Sequence, residues 1–110
     1  IGYKKKNNGR QQGQFMKINI YSVQDIKAAT FGSPIFLLND NLAIRALEDV
    51  CRNPESLIGG HPEDFNLYKL GEFDSSTGRL ETTEQPEFII SAANLKLAPL
   101  GEETPSNDDN

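Results

Sequence analysis

The chain has 110 residues, a formal net charge of −5 and a single cysteine, Cys51. That length suits one domain with one hydrophobic core, and a single cysteine excludes an intrachain disulfide framework. No apolar run approaches the roughly 18 residues that a transmembrane helix requires, and the basic start lacks the apolar segment of a signal peptide. These features predict a soluble, unexported protein of a reducing cytoplasm.

Charge is distributed unevenly along the chain. The first 15 residues carry four cations and no acid, and the last ten carry four acids. We therefore predict a disordered basic arm over residues 1–15, an α+β domain over 16–100 and a disordered acidic tail over 101–110. The cations of the arm are Lys4, Lys5, Lys6 and Arg10. The arm could serve a nucleic acid or an acidic partner, or it could be upstream sequence, because Met16 stands where the folded pattern begins.

Residues 16–23 alternate in polarity, which predicts a half-buried β-strand. The buried face would carry Met16, Ile18 and Ile20, and the outward face Lys17, Asn19 and Tyr21. Residues 24–31 predict a loop with some extended pairing. Residues 35–38 form a short apolar run that is typical of a strand, and Pro34 suits its first or edge position.

The next segment has the signals of a helix. Asn39 and Asp40 are good N-caps, and the apolar residues of 41–52 fall on one helical face. Pro54 cannot continue that helix, so we expect it to end by Asn53. A single further turn is predicted at residues 54–58.

A β-hairpin is predicted after this turn. Residues 65–73 carry apolar side chains on both faces, which indicates a central strand with Phe65, Leu67 and Phe73 on one side and Tyr68 and Leu70 on the other. Residues 74–78 are turn formers that reverse the chain into a return strand at 79–83. A short strand and a turn are predicted within 87–97. The predicted fold is α+β, with a small antiparallel sheet of about four to five strands packed by one main helix.

Few residues offer catalytic or metal chemistry. His61 is the only histidine. With Glu63, Asp64 and Asp74 it could hold a divalent cation, but turn residues before a strand explain the same residues without a ligand. Neighbouring carboxylates on an extended chain point in different directions and do not form an acid–base pair. We expect no cofactor, no metal and no enzymatic activity.

A nucleic-acid surface is the other possibility. If the outward face of the first strand coincides with the Tyr68 face, then Lys17, Tyr21 and Tyr68 form a platform on which bases could stack. The alternative is that the tyrosines cover the core with their hydroxyl groups in water. An acidic body disfavours nonspecific phosphate binding through the domain itself.

Three stretches together resemble one protein family. They read MKINIYSVQDIKAATFGSPIF, DNLAIRALEDVCRNP and HPEDFNLYKLGEFDSSTG, in that order. They are similar to the small nonstructural protein of gokushovirus-type bacteriophages, members of the Microviridae with circular single-stranded DNA genomes. The basic arm and the acidic end depart from that family's pattern.

The resemblance implies a nonstructural protein of the infected bacterial cytoplasm, described as DNA-binding, that acts in genome replication or packaging. It brings no catalytic residues. We therefore expect single-stranded DNA to be bound through Lys4, Lys5, Lys6, Arg10, Lys17, Tyr21 and Tyr68. The alternative is a protein–protein adaptor that binds a phage replication or procapsid protein, or a host factor.

Overall fold

The computed structural model describes residues 17–95 and Leu97. The predicted basic arm, Met16 and the acidic tail lie outside the described residues. In chain order the elements are β1 (Lys17–Asp25), β2 (Thr30–Phe31), β3 (Ile35–Leu37), α1 (Asp40–Cys51), α2 (Leu57–Gly60), β4 (Phe65–Asp74) and β5 (Arg79–Ser91). Short 3-10 turns at Pro62–Asp64 and Ala92–Asn94 precede β4 and follow β5.

The five strands form one antiparallel sheet. The order across it is β2, β1, β4 and β5, and β3 also pairs with β1. Helix α1 packs on one face of this sheet, which we call the helix side, and the other face is called the open face. The predicted α+β class with a small antiparallel sheet and one main helix is confirmed.

Helix α1 forms where its caps and apolar spacing predict it. The Asn39 side chain accepts a hydrogen bond from the backbone N–H of Leu42 at 2.9 Å and so caps the first turn. Ala43, Leu47 and Cys51 recur every fourth residue, and all three are buried against the sheet. The core that they form with the sheet is completed by Tyr21, Phe65, Leu67 and Ala92.

The predicted turn after Asn53 is present, but it is shorter than residues 54–58 because α2 begins after Ser56. The Asn53 side chain accepts from the N–H of Glu55 at 3.0 Å, and α2 begins only after Ser56, whose hydroxyl caps Gly59 at 2.9 Å. A Cβ at Gly59 would clash with the backbone of Asn53, so only glycine fits there. Neither helix in the described part of the chain is long and apolar enough to span a membrane.

Strand β4 contains a bulge, and the side chains after the bulge point to the faces opposite to those that simple alternation predicts. Ile20 pairs with Gly71 and the next residue, Tyr21, pairs with Lys69, which leaves Leu70 as the extra residue. A bulge of this kind shifts the alternation of side chains by one position. Phe73 therefore lies on the open face, and the prediction that it shares a face with Leu67 is wrong.

Strand β5 joins the two strands that were predicted at 79–83 and within 87–97. Its pairing with β4 passes from Gly71–Thr82 to Lys69–Glu87, so residues 83–86 oppose Leu70 alone. The Thr83 hydroxyl donates to the carbonyl oxygen of Leu70 at 3.2 Å across this wide bulge. A Cβ at Gly71 would lie 2.7 Å from the Cα of Thr82, so the close approach of the two strands requires glycine.

Candidate nucleic-acid interface

Tyr21 is a core residue, and the prediction that it faces outward is wrong. It is 0% exposed, and its hydroxyl donates to Asp40 Oδ1 at 2.6 Å while Asn19 Nδ2 donates to that hydroxyl at 2.9 Å. Burial, together with the Asp40 carboxylate, raises the pKa of Tyr21 to about 12. The side chain therefore ties the start of α1 to the sheet and is out of reach of a base.

The open face instead carries the other set of β1 side chains. Ile18 pairs with Phe73, Ile20 with Phe36 and Ser22 with Tyr68. Directly opposed residues of neighbouring strands project from the same face. Tyr68 and Tyr21 therefore lie on opposite faces of the sheet, and the predicted platform of two tyrosines does not form.

Three aromatic rings lie in a row on the open face, and we call Phe31, Tyr68 and Phe88 the aromatic row. The ring centroids of Phe31 and Tyr68 are 5.4 Å apart, and those of Tyr68 and Phe88 are 5.7 Å apart, both edge to face. Phe31 is 42% exposed and Phe88 is 54% exposed. The row crosses from β2 over β4 to β5, so the fold assembles it from three distant parts of the sequence.

A second apolar cluster lies on the same face near the β4–β5 turn. Phe36 and Phe73 pack edge to face with centroids 5.9 Å apart. With Ile18, Gly78 and Leu80 they line a shallow groove of about 420 Å³. Leu80 is 60% exposed at the rim of this groove.

The charged side chains of the strands lie on the helix side. By register this holds for every charged residue in a paired position of the described sheet, namely Lys17, Asp25, Lys69, Glu72, Asp74, Arg79, Glu81 and Glu87. Glu72 contacts both Lys17 and Lys69, each at 3.6 Å. The paired positions of the open face thus carry aromatic, aliphatic and uncharged polar side chains.

The structure separates the residues that were predicted to bind DNA together. Lys17 lies at the start of β1 on the helix side, whereas Tyr68 lies on the open face. Lys4, Lys5, Lys6 and Arg10 lie outside the described residues. Sequence reasoning missed Phe31 and Phe88, although Phe88 opens a run of β-type residues, Phe88 to Ile90, that was itself predicted to be a strand.

Three of the four candidate cation ligands lie close together. Side-chain ligand atoms of His61, Glu63 and Asp64 lie within 4.8 Å of one another on the turn before β4. Asp74 does not join them, because it lies at the far end of the ten-residue strand β4, where its Oδ1 accepts hydrogen bonds from the Ser76 hydroxyl at 2.6 Å and the Ser76 N–H at 2.9 Å. These hydrogen bonds hold the pKa of Asp74 below its usual value and organise the β4–β5 turn.

The described residues are acidic as a whole. Residues 17–95 contain six basic and twelve acidic side chains, a net charge of −6 with His61 neutral. Within this part of the chain Lys27, Arg45 and Arg79 form no ion pair. The paired positions of the open face therefore offer rings and apolar groups to a ligand, and no charged side chain.

The sequence of the chain matches one known protein family. A family model described as Phage ORF5 protein matches residues 18–95, which include the complete helix–sheet core. No curated protein and no solved structure shows significant similarity to the chain. Because the family match spans well over half of the sequence, the chain belongs to the phage ORF5 protein family.

Proposed function

We propose that the protein is a nonstructural, non-enzymatic accessory protein of a gokushovirus-type member of the Microviridae. In this proposal it binds single-stranded DNA in the host bacterial cytoplasm and acts in genome replication or packaging. The observation that carries the DNA-binding part is the aromatic row of Phe31, Tyr68 and Phe88 on an open, uncharged sheet face.

The aromatic row suits single strands better than duplexes. Unpaired bases expose their faces and stack on aromatic side chains with little dependence on sequence, and each such contact is worth roughly 1–3 kcal/mol. In a duplex the bases already stack on one another, so their faces are not available to the rings of the aromatic row. Phe88 is the most exposed ring of the row and is the first residue expected to contact a base.

The net charge of −6 on residues 17–95 weakens the binding of DNA to the aromatic row less than its size suggests. The carboxylates of Glu72, Glu81 and Glu87 project from the helix side of the sheet. A base stacked on the open face leaves its phosphate on the solvent side, with the sheet between it and those carboxylates. Screening over a Debye length of about 8 Å at physiological salt further reduces the repulsion.

The test is a fluorescence anisotropy titration of a labelled mixed-sequence oligonucleotide of about 20 nucleotides with the full chain. Phe88→Ala is expected to weaken binding by about 5- to 150-fold, which corresponds to the loss of one stacking contact of about 1–3 kcal/mol. Phe88→Leu should lose most of the same affinity, because it keeps apolar area but has no ring. Leu57→Ala is the matched control, since Leu57 is 65% exposed on α2 and lies near the helix-side residues Val23 and Phe65 rather than on the open face.

The salt dependence of oligonucleotide binding separates the contribution of the basic arm from that of base stacking. A chain that starts at Met16 should bind with a shallow salt slope, because stacking releases few counterions. The full chain has four further cations and should have a steeper slope, up to about −0.7 per phosphate that they contact. Absence of binding at low salt with both chains would reject the proposal.

The second candidate function is a protein–protein adaptor that engages a phage replication or procapsid protein or a host factor. The net charge of −6 on the described residues, with an uncharged apolar face, favours a basic protein partner over a phosphate backbone. Crosslinking in infected cells followed by nuclease treatment tests it. Partners that are retained after the nuclease, and lost with Phe88→Ala, support the adaptor; partners that the nuclease removes support DNA binding.

A further inference from the structure

Strand β5 leaves one edge of the sheet unpaired. Within the described residues it pairs only with β4, so the N–H and C=O groups along its other edge have no strand partner. Such an edge is a template for another strand. The wide bulge at residues 83–86 and a second register shift at Ile89 interrupt it, which leaves Arg79–Thr82 as its longest regular segment.

This segment is complementary to itself. Arg79 and Glu81 are both exposed, and neither forms an ion pair with another described residue. Between them Leu80 is 60% exposed on the open face, beside the apolar groove. If two copies pair antiparallel with Leu80 at the centre, Arg79 of each copy lies opposite Glu81 of the other, and Leu80 lies opposite its own copy.

We propose that two copies of the chain associate through their Arg79–Thr82 edges in this register. The arrangement is a two-fold dimer, in which residue i contacts residue j and residue j contacts residue i. Directly opposed Arg79 and Glu81 side chains form two equivalent ion pairs on the helix side, and the two Leu80 side chains pack together on the open face. The two five-stranded sheets then join into one, and their uncharged open faces become continuous.

The charge pattern selects a second copy over other occupants of this edge. An exposed cation and an exposed anion two residues apart on one strand are matched by the same strand run in reverse. A phosphate backbone would meet Arg79 but would be repelled by Glu81 and its cross-strand neighbour Glu72. A short interface of this kind predicts weak, concentration-dependent association, because few side chains become buried.

The test is sedimentation equilibrium of the full chain at concentrations from about 1 μM to about 1 mM, the range of weak association constants. The wild-type chain should show a monomer–dimer equilibrium within that range. Glu81→Arg should weaken the dimer by about tenfold or more, because two attractive cross-strand pairs become two repulsive Arg–Arg pairs. The double variant Arg79→Glu/Glu81→Arg restores opposite charges and should return the dissociation constant to within about threefold of wild type.

The control variant is Glu84→Arg, which makes the same change in net charge on the same strand but within the bulge. General charge effects predict that both Glu81→Arg and Glu84→Arg tighten an association of acidic chains, whereas the proposed register predicts that only Glu81→Arg weakens it. A monomer throughout the concentration range, or a Glu81→Arg dimer as stable as wild type, would overturn the proposal. Circular dichroism of each variant verifies that the fold is retained, and none of these outcomes depends on DNA binding.

Discussion

Replacing Tyr21 by Phe tests the link between α1 and the sheet. The substitution keeps the buried ring and removes only the hydroxyl that joins Asp40 Oδ1 and Asn19 Nδ2. A hydrogen bond to a charged group contributes about 1.5–3 kcal/mol. Because Asp40 is exposed and its carboxylate can be rehydrated, the expected loss lies near the lower end, about 1.5 kcal/mol. For a domain of this size that corresponds to a fall in Tm of about 6–12 °C.

Urea denaturation followed by circular dichroism measures this loss, with an unchanged m value as the sign of an unchanged native state. Tyr68→Phe is the matched control: the Tyr68 hydroxyl has no hydrogen-bond partner among the described residues, so the free energy of unfolding should stay within about 0.5 kcal/mol of wild type. Equal effects of the two substitutions would refute the assigned role of Tyr21. At temperatures well below Tm, Tyr21→Phe should also leave oligonucleotide affinity unchanged, because Tyr21 does not reach the open face.

Two further predictions concern the same strands. The pKa of Tyr21 is raised from 10.0 to about 12 in the folded protein, so the folded state holds this proton more tightly than the unfolded chain does. Its contribution to stability is fully present below about pH 10 and is lost as the pH rises towards 12, and urea midpoints across this range should fall more steeply for wild type than for Tyr21→Phe. Gly71→Ala should destabilise the protein by about 2 kcal/mol or more, because the new Cβ would lie 2.7 Å from the Cα of Thr82 and force the strands apart. Gly32→Ala, where the nearest atom is 3.5 Å from the added Cβ, should be nearly neutral in the same denaturation assay; similar losses for both variants would contradict the close approach at Gly71.

Local sequence signals were sufficient for helix α1 and for the β4–β5 hairpin. The cap at Asn39, the four-residue spacing of Ala43, Leu47 and Cys51, and the stop at Pro54 define α1 to within a residue. The turn formers of 74–78 likewise place the β4–β5 hairpin, whose tip uses Gly78 at a φ of 77°. Each of these signals depends on neighbours within a few residues, so the chain alone contains the information.

Which side chains of the sheet lie on the helix side and which on the open face could not be predicted in the same way. Strand β1 carries apolar side chains on both sides, Ile18 and Ile20 on one and Tyr21 and Val23 on the other, so alternation does not show which side α1 covers. The bulge at Leu70 then reverses the alternation in β4 and moves Phe73 to the open face. The candidate site depends on both, because the aromatic row exists only after β2, β4 and β5 are placed side by side.

Cys51 can serve as a chemical probe of local opening in this domain. Cys51 is 8% exposed at the end of α1, where it packs against the sheet, and burial raises the pKa of its thiol, so thiol-specific reagents should modify it only when the helix lifts from the sheet. The chain contains no tryptophan and no other cysteine. Labelling kinetics at this one sulfur would therefore report how often the packed layers separate under native conditions, without any engineered probe.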